Sequence, residues 1–162
     1  MSTFFIADLH LGHVSMSVKR GFKSVTEHDE YIVSQWNKVV NKRDKVFILG
    51  DVTMETSKYQ ILGRLNGLLH VVLGNHDKYN HVKTLLQYAE QVSGMVNYKG
   101  YWLTHFPVHN RELSFRVKGN IHGHLHEYNV LGFNNLPDTR YVNVSCEQNN
   151  YTPQKLEHLW RI

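Results

Sequence analysis

The chain holds a single cysteine, Cys146, among its 162 residues. No intrachain disulfide can form, and nothing in the cysteine usage points to an oxidising compartment. No stretch approaches the ~20 consecutive apolar residues of a membrane span. Met1 leads straight into a strand-like run with no signal-peptide pattern before it. The expected compartment is therefore the cytoplasm, with no membrane partner. Internal repeats, low-complexity tracts and linkers are missing too, so residues 1–162 are expected to form one domain without a separate cap. Such a length suffices to bury about 70% of the unfolded chain's surface. The formal net charge is +4, yet no dense basic run or basic helix stands out. That balance favours anionic partners without choosing among nucleotides, nucleic acid and phosphoproteins.

Histidine, by contrast, is abundant, with 12 residues, and several follow apolar runs. Thr3 to Ala7, Lys45 to Leu49 and Leu69 to Leu73 are short and nearly continuous in Val, Ile, Leu and Phe, the pattern of strands buried on both faces of a sheet. Each run ends in a residue that can bind a metal: Asp8 and His10 after the first, Asp51 after the second, Asn75 and His76 after the third. Ligand sites in open α/β sheets lie just beyond the carboxyl ends of the strands, so these residues are expected to converge on one rim.

Carboxylate, amide and imidazole donors without thiolate suit manganese, iron, nickel or zinc in a reactive site better than a sulfur-bound structural zinc. Two divalent ions about 3.5–4 Å apart can clamp a phosphate and lower the pKa of bound water toward ~7. A bridging carboxylate offsets their mutual repulsion, and Asp51 is the candidate for it.

The order Asp8-Leu9-His10, Gly50-Asp51, Gly74-Asn75-His76-Asp77, Thr104-His105 and Gly123-His124-Leu125-His126 resembles that of the calcineurin-like metallophosphoesterase superfamily. The resemblance implies that Asp8, His10 and His126 hold one ion with Asp51, and that Asn75, His105 and His124 hold a second with Asp51. It implies two divalent transition-metal ions, with manganese the first choice and iron, nickel or zinc the alternatives. It makes His76 a histidine that binds no metal and assists the leaving oxygen while a metal-bound hydroxide attacks phosphorus. Asp77 is a candidate to orient His76, or a carboxylate at a helix start. Phosphate contacts are conceivable from His13, His109, Arg111, Arg116 and His122, each of which also has an ordinary structural reading.

Along the rest of the chain, Thr26 is expected to cap a helix with Ile32, Trp36, Val39 and Val40 inward. A shorter helix is expected over Lys58 to Leu65, and a third from near Asn80 with Val82, Leu85, Leu86 and Ala89 inward. Val92 to Tyr98 and Tyr101 to His105 read as strands about a Lys99-Gly100 turn, with further strands at Gly119 to Ile121 and Tyr141 to Cys146. Cys146 reads as a small core residue. Thr152-Pro153 reads as the start of a last helix through His158. His109 to Lys118 and Glu127 to Thr139 read as loops around the site. This mixture implies an α/β fold in which two mixed sheets are flanked by helices, the four-layer αββα sandwich that the resemblance also implies.

The expected activity is hydrolysis of a phosphate ester, diesters ahead of the small-molecule or nucleotide monoesters that form the alternative. Protein phosphatases of the family carry an arginine soon after the Gly-Asp motif, where this chain has Val52, Thr53 and Met54, so phosphoproteins are disfavoured. The alternative of another class is a metal-binding scaffold for protein partners that has lost catalysis. The site is expected to be open, or completed by a partner subunit.

Overall fold

A computed structural model describes residues 1–114 and 116–159. Four parallel strands, β1 (Thr3–Ile6), β2 (Lys45–Leu49), β3 (Leu68–Val72) and β4 (Gln91–Ser93), build the first sheet in the order β4-β3-β2-β1. Their apolar runs are continuous because both faces are covered. Successive side chains point to opposite sides, so Phe4, Ile6, Val46, Ile48, Leu69 and Val71 join one core with Ile32, Trp36 and Leu85 from the helices. Phe5, Ala7, Phe47, Leu49 and Val72 join a second core with Leu103, Ile121 and Val144 from the other sheet.

That other sheet has four strands, β5 (Val96–Tyr98), β6 (Tyr101–Leu103), β7 (Gly119–His122) and β8 (Tyr141–Asn143). β6, β7 and β8 run parallel while β5 pairs antiparallel with β6. Its outer side receives the 3-10 turn Asn110–Glu112, where the Trp102 indole donates to the Glu112 carbonyl at 3.2 Å. Two mixed sheets flanked by helices, the expected α/β arrangement, are thus what forms. The two sheets are stitched where Ala7 pairs with Ser145 just beyond β1 and β8.

Helix α1 (Val14–Lys19) follows the first loop, and α2 (Val25–Val39) lies over the first sheet with Ile32, Val33 and Trp36 buried. Trp36 anchors it further by donating to the Asn66 carbonyl at 2.8 Å. The cap of α2 is Ser24, not Thr26: its hydroxyl accepts from Glu27 N–H, and the Glu27 carboxylate accepts from Lys23 N–H. Glu27 three residues on makes Ser24 the better capping partner. Val39, expected inward, is 37% exposed because the helix ends there.

Three further expectations need correction. The second helix is a 3-10 segment over Thr56–Arg64, with Tyr59, Ile61 and Leu62 buried. The third is a 3-10 turn followed by one turn of helix α3 (Val82–Leu85), and Leu86 faces solvent. The single strand expected from Val92 to Tyr98 breaks at Gly94-Met95, because β4 pairs with β3 and β5 with β6. The chain changes sheets there.

The last expected helix is absent from its start. Pro153 leads instead into β9 (Gln154–Lys155), which pairs antiparallel with Phe4 and Phe5, and only then into a 3-10 turn at Leu156–His158. Pairing with the open edge of β1 outweighs the local helix-start signal, and proline is tolerated next to an edge strand. Cys146 is fully buried as expected, although β8 has already ended at Asn143. Among the described residues no helix is long and apolar enough to cross a membrane.

Candidate metal centre

The loops after β1, β2 and β3 meet those after β6 and β7, which brings the candidate ligands of both sheets to one place. Asp51 Oδ2 lies 3.4 Å from His105 Nε2 and 3.6 Å from His10 Nε2. Asp8 Oδ1 lies 3.9 Å from His10 Nε2 and 4.0 Å from His126 Nε2. Two close groups result, Asp8 with His10 and His126, and Asp8 with Asp51 and His105. Asp8 is the member common to both, whereas Asp51 is the carboxylate flanked by imidazoles from the two sheets. Asn75 Oδ1 is 2.9 Å from His105 Nε2, and the His124 ring stands 5.1 Å from that of His105.

Several candidate ligands are held from behind by a second polar atom, although both His10 ring nitrogens lack a hydrogen-bond partner among the described residues. Asp8 Oδ2 accepts from His124 N–H and the Ser145 hydroxyl, Asp51 Oδ1 accepts from His76 N–H, and His105 Nδ1–H donates to the Leu49 carbonyl. The atoms left over point inward. Asp8 Oδ1 and His10 Nε2 are buried with no hydrogen-bond partner among the described residues, a costly state that a cation would relieve. Cys146 is withdrawn from this donor set, since burial pushes its thiol up. The residues present therefore fit divalent ions bound by oxygen and imidazole.

The backbone tells the same story. Among the described residues nine non-glycine residues have left-handed φ, and five of them are Asp8, His10, Asp51, His124 and His126. Such residues cost on the order of 1–3 kcal/mol each and persist where the surroundings over-determine them. The motif glycines make room for the neighbouring carboxylates. A Cβ on Gly74 would collide with Asp51, and one on Gly123 with Ala7 and Asp8.

In the chain without metal these groups pull against one another. Burial raises the Asp8 carboxyl, and burial pushes the His10 imidazole down to about 3 despite the Asp51 charge, leaving it neutral and able to donate a lone pair. Burial would also raise Asp51, but the His105 hydrogen bond and charge, His76 N–H and His10 together hold it at about 2. His126 is raised chiefly by its hydrogen bond to Glu147.

The calcineurin-like phosphoesterase family profile matches residues 1–161. The chain belongs to that family. This calcineurin-like phosphoesterase is 30% identical to an uncharacterized protein of Methanocaldococcus jannaschii, over 98% of this chain and 89% of the other. It is 30% identical to the Gene 66 protein of Mycobacterium phage L5, over 80% of each. Among solved structures, a protein of unknown function from Aquifex aeolicus superposes with a TM-score of 0.74 at 24% identity, over 97% of this chain and 96% of that one. An archaeal phosphodiesterase superposes with a TM-score of 0.52 at 16% identity, over 96% and 99%. Both share its fold.

The other candidate residues of this family member are distributed unevenly. His76 keeps its ring at the rim, with the side chain 41% exposed and Nε2 4.0 Å from Asp51 Oδ2. Asp77 acts on the loop of His76 through backbone N–H groups and not through a bond to the imidazole. Its buried carboxylate accepts from the N–H groups of Asp51, Val52 and Gly74, so it ties the second metal loop to the third. His13 caps α1 by accepting from Met16 N–H, and its ring lies 5.8 Å from that of His10. His109 accepts from Arg111 N–H in an exposed turn and lines a cavity with Asp138, Arg140 and Tyr141. His122 is fully buried, bonded to the Gly123 carbonyl, and held by burial at about 4, so it is no phosphate contact. Arg20, Ser145 and Glu147, which brace the ligands, carried no sequence signal because they belong to no motif.

Replacing Asp77 with alanine is expected to destabilise the metal-free chain by about 3 kcal/mol, since it strands the buried N–H groups of Asp51 and Val52 and the half-buried one of Gly74, each worth ~1–3 kcal/mol. Asp77→Asn should cost less, as one carbonyl oxygen can still accept two of the three. Urea denaturation checks this, and an unchanged midpoint for Asp77→Ala would refute the tie.

Proposed function

We propose that the chain is a dinuclear metal-dependent phosphoesterase that prefers small phosphodiesters. The observation that carries this reading is the position of Asp51 Oδ2 between His10 Nε2 and His105 Nε2, with the exposed imidazole of His76 beside it. Asp8, His10, His126 and Asp51 would hold one ion, and Asn75, His105, His124 and Asp51 the other. When bound, two such ions supply Lewis-acid charge for the phosphate and water acidified toward ~7.

The protein's own groups do the rest. Asp77 and the bond that His76 N–H donates to Asp51 Oδ1 fix the loop that carries His76. Its imidazole can then hold a proton at Nε2 for the departing ester oxygen. What surrounds the centre supports the diester preference. A monoester dianion is usually gripped by arginine forks beyond the metals, but Val52 and Thr53 are buried apolar or hydroxyl residues where such an arginine would stand. Arg20, Arg64 and Arg140 are each committed to a carboxylate of this chain. The fold neighbour that is a phosphodiesterase agrees with this choice.

With manganese, bis-nitrophenyl phosphate is expected to be hydrolysed with higher kcat/KM than nitrophenyl phosphate. A monoester preference of about tenfold or more, equivalent to ~1.4 kcal/mol in the barrier, would overturn the diester assignment and favour a small-molecule phosphatase.

A further inference from the structure

The two halves of the centre are braced by different means. Behind His105, among the described residues, stands a backbone carbonyl, that of Leu49. Behind Asp8 and His126 runs a largely buried chain of charged groups. Glu147 Oε1 lies 2.9 Å from His126 Nδ1 and accepts from Arg20 Nε at 2.8 Å, with Arg20 Nη2 also at 2.8 Å. The Arg20 side chain is 2% exposed, and its guanidinium donates onward from Nη2 to the Asp8 carbonyl at 2.7 Å and from Nη1 to the Leu9 carbonyl at 3.1 Å. Its Nη1 also meets His28 Nε2 at 2.9 Å, while His28 Nδ1 bonds Asp29, whose two oxygens accept from Gly12 N–H at 3.1 Å each. The Tyr151 ring closes the site over the guanidinium at 5.4 Å.

We propose that Arg20 and Glu147 are positioning residues for one half of the metal centre, the half formed by Asp8, His10 and His126. This rests on the dinuclear reading above. Glu147 fixes the His126 ring so that Nε2 faces inward, and its charge makes that nitrogen a stronger donor, as carboxylates behind metal-bound histidines do. Arg20 clamps the carbonyls of Asp8 and Leu9, and Asp29 clamps Gly12. Asp8 and His10 between them have the left-handed φ values of 59° and 48°, conformations that need an external hold. Only a planar fork reaches two carbonyls and a carboxylate together, which a lysine cannot do. Stability does not account for the arrangement, because a buried ion pair commonly costs as much in desolvation as it returns.

The test is manganese binding to Glu147→Gln and Arg20→Lys, read by isothermal titration and by electron paramagnetic resonance of the loaded protein. The wild type is expected to bind two ions and to show the spectrum of a coupled pair. In each variant one of the two affinities is expected to fall by roughly 10–100-fold, the scale for removing such a support, while the other stays within about threefold. At a concentration that saturates the wild type, the spectrum should become that of a single uncoupled ion. Two ions bound with wild-type affinity in both variants would overturn the proposal while leaving the dinuclear reading intact. A parallel loss of both ions together with a lower metal-free melting temperature would overturn it as well, making the pair a structural strut. A wild type that binds fewer than two ions would overturn both readings.

Discussion

Asp51→Asn is expected to abolish tight binding of both ions, whereas His126→Ala should weaken mainly one. Asp51 Oδ2 is the oxygen within 3.6 Å of imidazoles from both sheets, and its carboxyl is held ionised at about 2 by His105, His76 N–H and His10 against the opposing effect of burial. An amide removes that negative charge and, with its carbonyl kept on His76 N–H, turns an NH2 group that cannot bind a cation toward the place of Oδ2. Since losing a mere support behind a ligand costs roughly 10–100-fold in affinity, the loss at Asp51 should exceed ~100-fold at each site. Phosphoesterase turnover should fall with it. The side chain's other contact, the hydrogen bond from His76 N–H to Oδ1, can be kept by the amide carbonyl, so the metal-free fold should survive. Elemental analysis after manganese loading and dialysis checks this, with circular dichroism as the folding control. Two ions retained by Asp51→Asn would remove Asp51 from the bridge.

His76→Ala should separate chemistry from binding. The ring is exposed at the rim and belongs to neither close group of ligands, while the contact that organises the loop is made by its backbone N–H. Both ions should therefore remain. The rate on alkyl phosphodiesters should fall by roughly 10²–10⁴-fold, the range for a lost general acid, because an alkoxide leaves poorly without a proton. A nitrophenolate leaves well unaided, so bis-nitrophenyl phosphate should suffer much less. The decisive comparison is the ratio of the two losses. Equal losses on both substrates would mean that His76 acts by some route other than protonation, and unchanged turnover of the alkyl ester would take it out of the mechanism.

Much of this centre was legible because it is built from chain-local signals. A strand buried on both faces must be a continuous apolar run, so the polar residue at its end stands out, as Asp8, Asp51 and Asn75 do after β1, β2 and β3. The glycines beside them mark where a neighbouring carboxylate leaves no space for a Cβ, as Gly74 and Gly123 do. The helix cap at Ser24 is also written locally, in the Glu27 three residues on, a glutamate that Thr26 lacks at that spacing.

Other features are decided by partners far away in the chain. β9 replaces a helix because the edge of β1, some 150 residues earlier, offers backbone pairing. Val92 and Val96 part company because different sheets claim them. The amino-acid sequence by itself determined the doubly covered strands, the order of the candidate ligands and hence the family. Only the tertiary structure decided that Asp77 ties two loops, that His122 is sealed away, and that Arg20 meets Glu147 across 127 residues. Periodicity and motif spacing report on neighbours along the chain, whereas a buried hydrogen bond depends on which distant loops the two sheets bring together.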